Sequence, residues 1–570
     1  MIPGRGDPTA ARRHATRRPG RPPLSGRGVA SAPAGSEAGA CDERGDVARG
    51  ATAPATSGAR GRGRLQRPAR SRAFSGEVPP PARGYAAHMP MEPDGARAAL
   101  PAWLPRSFRT SLEARPTLAR VLGNVGWLVG ERFATLAASF VITVWFVRYL
   151  GPERYGLFSY AVSLAAVFGI AADLGLDTII VRELTRAPDA DGEILGTTLF
   201  MRSAGALLAW AGAVVTVFLL RDDWVTRAMV TVLALGCFGV AANVFELWFQ
   251  SRIAARKVVV ARTAIFLVSA LVRCALIVLA ASLLPFAALQ AATVLITASA
   301  LFWLYRRARR VAKVRLAISG ALARRMVADA WPLFVWHLSI ILYMKIDQVM
   351  LTAMSGEREN GIYAVAVTLS EVWYFLPVAV AATLFPLIVK AHDELDATEF
   401  EARMQAFYDG MAALGYAIAV PIMLLAGPIV RLLYGQEYER SASVLVVHAA
   451  SFVFVCLGVA RSRFLLAANL TRFTMFTGVF AALLNIGLNL VLIPPLGAYG
   501  AAWSTLVSYA VANYLTGFLY GGVRRQSWLV TRALVVPLRP RALVSMLTGW
   551  QPRTAPQIVL GVTEQRPPKP

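Results

Sequence analysis

The feature that most constrains this chain is a series of long apolar runs, from near Asn124 to near Tyr520, parted only by short polar breaks. A helix that crosses a bilayer needs about 20 consecutive apolar residues, because the hydrocarbon core is about 30 Å thick and a helix rises 1.5 Å per residue. With no water inside the bilayer, every backbone N–H and C=O must be satisfied within the segment, so runs of this length fold as helices. The breaks leave no room for a sizeable soluble domain, and these roughly 400 residues read as one all-α integral membrane domain. Composition agrees: 56% of residues are hydrophobic and mean hydropathy is +0.50, above the ~45–50% apolar content of soluble domains.

About 12 spans are expected, at 124–148, 155–176, 196–220, 226–250, 258–284 and 285–305, then 329–353, 361–389, 405–434, 441–460, 464–493 and 498–520. The fifth and sixth are separated only at Leu284-Pro285. Charge supports an even count. The formal net charge is +25, and outside the N-terminal tract it collects in loops at alternate helix ends. Arg252, Arg256, Lys257 and Arg262 follow the fourth span, and Arg306, Arg307, Arg309, Arg310, Lys313 and Arg315 follow the sixth. Arg461, Arg463 and Arg472 lie near the tenth, and Arg524, Arg525 and Arg532 follow the twelfth. Intervening loops are poorer in cations, 494–500 carries no charge, and the mostly acidic loop at 390–403, cytoplasmic in this arrangement, departs from the alternation. Lys and Arg are retained on the cytoplasmic side, so both termini are expected there.

The domain boundaries follow. Residues 1–120 form an Arg/Pro/Gly-rich disordered tract and an interfacial segment, 121–310 a first six-helix lobe, 311–328 a basic cytoplasmic linker, 329–520 a second six-helix lobe and 521–570 a cytoplasmic tail. Residues 1–88 carry 16 Arg against 6 Asp or Glu and almost no aliphatic runs, so they cannot bury enough apolar surface to offset chain entropy. Met89 and Met91 are the expected alternative starts. The basic residues form no continuous patch with stacking aromatics, so nucleic acid is not an expected partner. Cys41, Cys237, Cys274 and Cys456 have no metal-ligand spacing and read as small buried hydrophobes or, for Cys41, part of the tract.

The two halves resemble each other. A constant offset of 205 sets Gly151 against Gly356, Gly156 against Gly361, Leu157 against Ile362 and Phe158 against Tyr363. Each half has an even number of spans, so the halves insert the same way up and form parallel repeats about an axis along the membrane normal. Two pseudo-symmetric lobes around a central cavity are expected, and their rocking would give alternating access.

Ionisable residues inside spans face the bundle interior by default. Arg132 in span one, Arg273 near mid-depth of span five and Lys345 in span seven are the candidate substrate-binding cations, suited to an anionic group such as diphosphate because guanidinium forks match phosphate oxygens. Asp347, two residues from Lys345 and on another face, and Glu371 in span eight are candidate sites for a coupling H+ or Na+. Arg148, Arg182, Arg202 and Arg262 read as snorkelling side chains near interfaces, and His337 as a satisfied core histidine. No catalytic residue, metal site or cofactor is expected, and no phosphate-cradling glycine loop for ATP hydrolysis appears.

Several short motifs then carry a resemblance. They are Arg148-Tyr149-Leu150-Gly151-Pro152-Glu153-Arg154-Tyr155-Gly156, Asp173-Leu174-Gly175-Leu176 and Val181-Arg182-Glu183-Leu184. In the second half they are Asp347-Gln348-Val349-Met350-Leu351, Gly361-Ile362-Tyr363-Ala364, Leu376-Pro377, Phe385-Pro386, Tyr434-Gly435-Gln436-Glu437-Tyr438, Asn485, Asn489 and Gly497-Ala498-Tyr499-Gly500-Ala501-Ala502. In their order and spacing, over about 118–520, the chain resembles the polysaccharide-biosynthesis flippases of the multidrug/oligosaccharidyl-lipid/polysaccharide exporter superfamily. The resemblance implies movement of an undecaprenyl-diphosphate-linked oligosaccharide to the outer leaflet of a bacterial cytoplasmic membrane. It also implies membrane lipids around the protein and polysaccharide polymerase and chain-length proteins as partners. Two alternatives stand beside it: a drug or small-molecule exporter of the same superfamily, and a membrane glycosyltransferase or polymerase. The very short outer loops disfavour the last.

Overall fold

A computed structural model of the protein describes residues 116–539 apart from 253–254, 309–315, 395–396 and 469, with side chains from Thr135 onward outside those gaps and a few neighbouring positions. The basic N-terminal tract and the end of the tail lie outside the described residues, and so does the side chain of Arg132.

The first helix, α1 (Pro116–Asp173), has 58 residues. At 1.5 Å per residue it would be about 87 Å long, nearly three hydrocarbon thicknesses. It is two crossing arms that meet at Gly151, where φ is 71° and ψ 171°, a conformation closed to residues with a Cβ. The second half opens the same way. α9 (Gly320–Ser355) runs to Gly356, at φ 90° and ψ 171°, and α10 (Glu357–Glu371) leads back. The two glycines matched by the repeat thus make the same reversal.

Between these hairpins, lobe 1 continues with α2 (Asp177–Arg186), α3 (Asp191–Leu220), α4 (Trp224–Ala234), α5 (Gly236–Ala241), α6 (Val244–Ser251), α7 (Ala255–Val278) and α8 (Leu283–Ala308). Lobe 2 continues with α11 (Phe375–Glu394), α12 (Ala397–Leu424), α13 (Ala426–Tyr434), α14 (Ser441–Ala467), α15 (Thr471–Leu496), α16 (Ala498–Asn513) and α17 (Gly521–Leu534). The fifth and sixth spans part at residues 279–282 rather than at Leu284-Pro285. Pro285 falls in the first turn of α8, where its missing N–H would have had no helical partner anyway. The eighth span is broken at residues 372–374, because Pro377 cannot donate to the carbonyl four residues before it.

Ten helical runs among the described residues are long and apolar enough to cross a membrane, against an expected twelve. That count takes 135–186 as one run of 52 residues and leaves out α16, which has 16. α17, in the segment expected to be a tail, joins lobe 2: Val523, Leu529, Val530 and Ala533 are buried in the core that α12 and α14 build.

The lobes meet tightly where the glycine turns lie. A Cβ on Gly156 would stand 1.8 Å from the Glu357 carbonyl oxygen, and one on Gly361 1.8 Å from that of Pro152. Lipid tails are as apolar as side chains, so helices in membranes associate through such close backbone packing. Asn360 Nδ2 donates to the Gly156 carbonyl at 2.8 Å, Arg221 pairs with Glu357 at 2.8 Å, and Tyr438 Oη donates to the Val147 carbonyl at 3.1 Å. At the opposite end α9 leans on lobe 1 through Arg182–Asp329 (2.9 Å) and Arg325–Glu183 (2.8 Å).

Candidate functional site

Asp347 lies eight residues before the end of α9, about 12 Å along the helix. It is 1% exposed. Tyr363 Oη donates to its Oδ2 at 2.7 Å, Thr505 Oγ1 to the same oxygen at 2.5 Å, and Asn489 Nδ2 to Oδ1 at 2.6 Å. Asn489 Nδ2 also reaches Asn485 Oδ1 at 3.2 Å. Four helices, α9, α10, α15 and α16, converge on this carboxylate. No cation pairs with it among the described residues. Asn485 also reaches the Asp347 carboxylate, and Asn489 Oδ1 is buried without a hydrogen-bond partner among the described residues, so the cluster holds spare polar capacity beside a carboxylate. An oxygen-rich, enclosed set of this kind suits a proton or a small hard cation. The repeat places Ile142 where Asp347 stands in the other half, so the carboxylate belongs to lobe 2 alone.

Lys345 and Glu371 find each other: Nζ lies 3.3 Å from Oε2, and both side chains are only part-buried. The candidate substrate cation and one candidate coupling carboxylate are thus an ion pair, with Glu371 at the last turn of α10, beside the 372–374 break. Broken helices inside a membrane are tolerated where they line protein or a watery cavity. Behind the pair, Ser370 Oγ and His448 Nδ1 are 2.6 Å apart, and the His448 ring packs edge-on to Tyr363 at 5.9 Å.

Arg273 stands elsewhere. α7 ends at Val278, so Arg273 is about 8 Å from the helix end rather than at mid-depth. Its Nη2 donates to Gln290 Oε1 at 3.3 Å, and the guanidinium lies 5.4 Å from the Phe146 ring centroid. It borders a cavity of about 270 Å³ with Ser139, Ser269, Gln290 and Thr293, a lining drawn from lobe 1 that does not include Lys345. No carboxylate pairs with Arg273 among the described residues.

Two other arginines depart from expectation. Arg202 does not snorkel. It is 0% exposed, its Nη2 donates to Asp173 Oδ1 at 3.0 Å and to the Asp173 carbonyl at 3.1 Å, and it pairs with Asp177. A charge this far from water needs partners, and two carboxylates and a helix-end carbonyl supply them. Arg461 is inside α14, not in a loop, and donates to the Ala512 carbonyl at 2.9 Å at the C-terminal end of α16. The Nδ1 of His337, stacked on Trp336, has no hydrogen-bond partner among the described residues.

Of the residues that build the Asp347 site, Asn485 and Asn489 carry a sequence signal, two amides four residues apart on one helix face of an apolar run. Tyr363 is marked by the repeat and by the Gly361-Ile362-Tyr363-Ala364 motif but not as a partner of Asp347, and Thr505 and His448 carry no signal, because a threonine or histidine in an apolar run reads equally as core.

The profile of the polysaccharide biosynthesis protein family matches residues 121–392, and that of the lipid II flippase MurJ family residues 294–550. Two Haloferax volcanii proteins are similar. The probable low-salt glycan biosynthesis flippase Agl15 is 24% identical over 31% of this chain, and the probable flippase AglR 28% identical over 33%. The chain spans about two fifths of their length (39% and 40%). Among solved structures, lipid II flippase MurJ in an inward closed conformation aligns with TM-score 0.55 and 13% identity, covering 73% of this chain and 92% of that one. An inward-facing multidrug resistance MATE family transporter aligns with TM-score 0.53 and 17% identity, covering 69% and 95%. At such identity the two structures share the fold. The two profile matches run in sequence through both lobes, and over those residues the chain is similar to both families.

Proposed function

We propose that this protein is a flippase that carries a polyprenyl-diphosphate-linked oligosaccharide across a bacterial cytoplasmic membrane for cell-surface polysaccharide synthesis. In this reading the chain makes twelve crossings with both termini cytoplasmic, the glycine-turn end faces outward, and a polysaccharide polymerase with its chain-length partner consumes the product. The lobes rock to give alternating access, coupled to H+ or Na+ at Asp347. The carrying observation is the enclosed Asp347, held by four helices on the same α9 that bears the part-exposed Lys345–Glu371 pair. Glu371 keeps Lys345 neutralised until an anionic headgroup competes for it. A diphosphate, with more charge than one carboxylate, would take Lys345 and release Glu371. Arg273, without a carboxylate among the described residues and beside a cavity that Ser139, Ser269, Gln290 and Thr293 line in part, and Arg132 on the first arm of α1 are the other proposed phosphate contacts.

The test is a flipping assay with purified protein in liposomes and a short-chain fluorescent polyprenyl-diphosphate sugar. Protein-dependent exposure of the lipid to an external enzyme, lost in Lys345→Ala and Arg273→Ala, is the expected result. No exposure, with efflux of a small cationic dye instead, would replace this reading with that of a small-molecule exporter.

A further inference from the structure

Asp347 is followed on α9 by Gln348, about 100° further round the helix, which faces the seam between the lobes. Gln348 is 4% exposed, and its Oε1 accepts from Ser163 Oγ at 2.7 Å and from Ser159 Oγ, both on the second arm of α1. These contacts join lobe 2 to lobe 1 beside apolar side chains, where Phe158, Leu164, Leu351 and Ile362 share one core. Two hydroxyls on one buried carbonyl oxygen satisfy both of its lone pairs, and parting the lobes strips all three groups of partners at once.

We propose that Gln348 is the positioning residue that links occupancy of the Asp347 site to closure of the lobes, a step that rests on the ion-coupled reading above. When ionised, the carboxylate only accepts, and Tyr363 and Thr505 then direct their hydrogens at Asp347. A cation bound there needs oxygen lone pairs instead. Both hydroxyls must turn and the Asn489 amide must present its oxygen. Those contacts are what pin the rotation of α9 against α10, α15 and α16. Side-chain ends lie about 5–6 Å from a helix axis, so a 20° rotation of α9 moves the Gln348 oxygen by about 2 Å. That parts a 2.7 Å hydrogen bond beyond its working range. Ion binding on one face of α9 thereby releases the lobe-to-lobe bond on the next.

The experiment measures pulsed electron–electron distances between spin labels at Asp222→Cys and Leu432→Cys, both exposed at the glycine-turn end, in full-length protein with its natural cysteines replaced. Distances are recorded in Na+ against choline and at acidic against neutral pH. In the parent protein, ion or acid is expected to increase the long-distance population. Gln348→Leu is expected to raise the open-to-closed ratio on the order of 10- to 100-fold, as for two buried neutral hydrogen bonds, and to abolish the ion response. Na+- or pH-dependent protection of Asp347 from carbodiimide should persist in that variant, which a merely structural residue would not predict. Ser159→Ala/Ser163→Ala removes the donors without touching α9 and should match it, the triple variant should go no further, and Ser163→Thr should restore the parent behaviour. Unchanged ratios and ion response in the serine double variant, or a parent protein whose distances ignore both ions, would overturn the proposal. A parent protein whose lobes respond but which exposes no lipid-linked sugar would refute the flippase reading and leave this coupling standing.

Discussion

Gly156→Ala gives the sharpest test of the lobe seam. The added Cβ would stand 1.8 Å from the Glu357 carbonyl oxygen, 2.7 Å from the Gly361 nitrogen and 2.8 Å from the Glu357 carbonyl carbon. All three are backbone atoms and cannot step aside. Restoring an ordinary contact of 3.4 Å or more moves α10 from α1 by about 1.6 Å, as overpacking in a close-packed interior does. That displacement breaks the 2.8 Å bond from Asn360 to the Gly156 carbonyl and strains the 3.3 Å contact of Tyr155 with Thr368. Overpacking contributes about 1–3 kcal/mol and a lost buried hydrogen bond about 0.5–1.5. The closed seam should therefore weaken by about 2–4 kcal/mol, roughly 30- to 1,000-fold in its population. Crosslinking between Arg221→Cys and Glu357→Cys, whose parent side chains meet at 2.8 Å, reads that population. Its rate should fall at least tenfold in Gly156→Ala, and flipping should slow with it. Gly487→Ala is the control, since nothing lies within 4 Å of its Cβ and an alanine in a helix is if anything favourable by up to about 1 kcal/mol. A Gly156→Ala protein that crosslinks and transports like the parent would refute the argument.

Other outcomes follow from the buried groups. Asp347→Ala leaves Tyr363, Thr505 and Asn489 without their acceptor, and should lower stability in detergent by about 2–5 kcal/mol while removing ion dependence. Asp347→Asn should keep most of the stability and still lose the ion response; thermal unfolding and flipping along an ion gradient separate the two. Arg202→Ala leaves Asp173 and Asp177 facing each other near a helix end. Asp177 is 55% exposed, so the loss should lie near 2–3 kcal/mol, below the ~3–5 of a fully enclosed pair, with Arg202→Lys intermediate in thermal unfolding. Lys345→Ala/Glu371→Gln, which removes a part-exposed pair, should unfold within about 1 kcal/mol of the parent yet flip far more slowly. A double variant that flips normally would remove both from the proposed path.

The resemblance between the halves was legible because glycine at a turn is a backbone requirement, not a matter of context. Gly151 and Gly356 stand in the same positive-φ conformation, and Gly156 and Gly361, aligned by the same offset, are brought together by the packing of the two halves. The proposed depth of Arg273 was not legible, since it hung on where α7 ends, and the apolar run continues past Val278 through Leu279 and Ala281 to Leu284. The actual break falls at residues 279–282, where Ala280 takes φ 52°. Nor could sequence separate Arg202 from a snorkelling arginine: its partners, Asp173 and Asp177, come from 25 and more residues away, and only packing brings them to its guanidinium.

The sequence alone determined that the chain is an all-α membrane protein with two like halves and an uneven distribution of cations, because hydrocarbon thickness, backbone satisfaction and loop charge act on each segment by itself. The tertiary structure decided which charges are paired and which are enclosed. Lys345 and Glu371 lie 26 residues apart, and the donors to Asp347 come from three further helices. Such meetings depend on how helices rotate and pack against one another, and a periodicity read along one helix carries no information about the rotation of its neighbour.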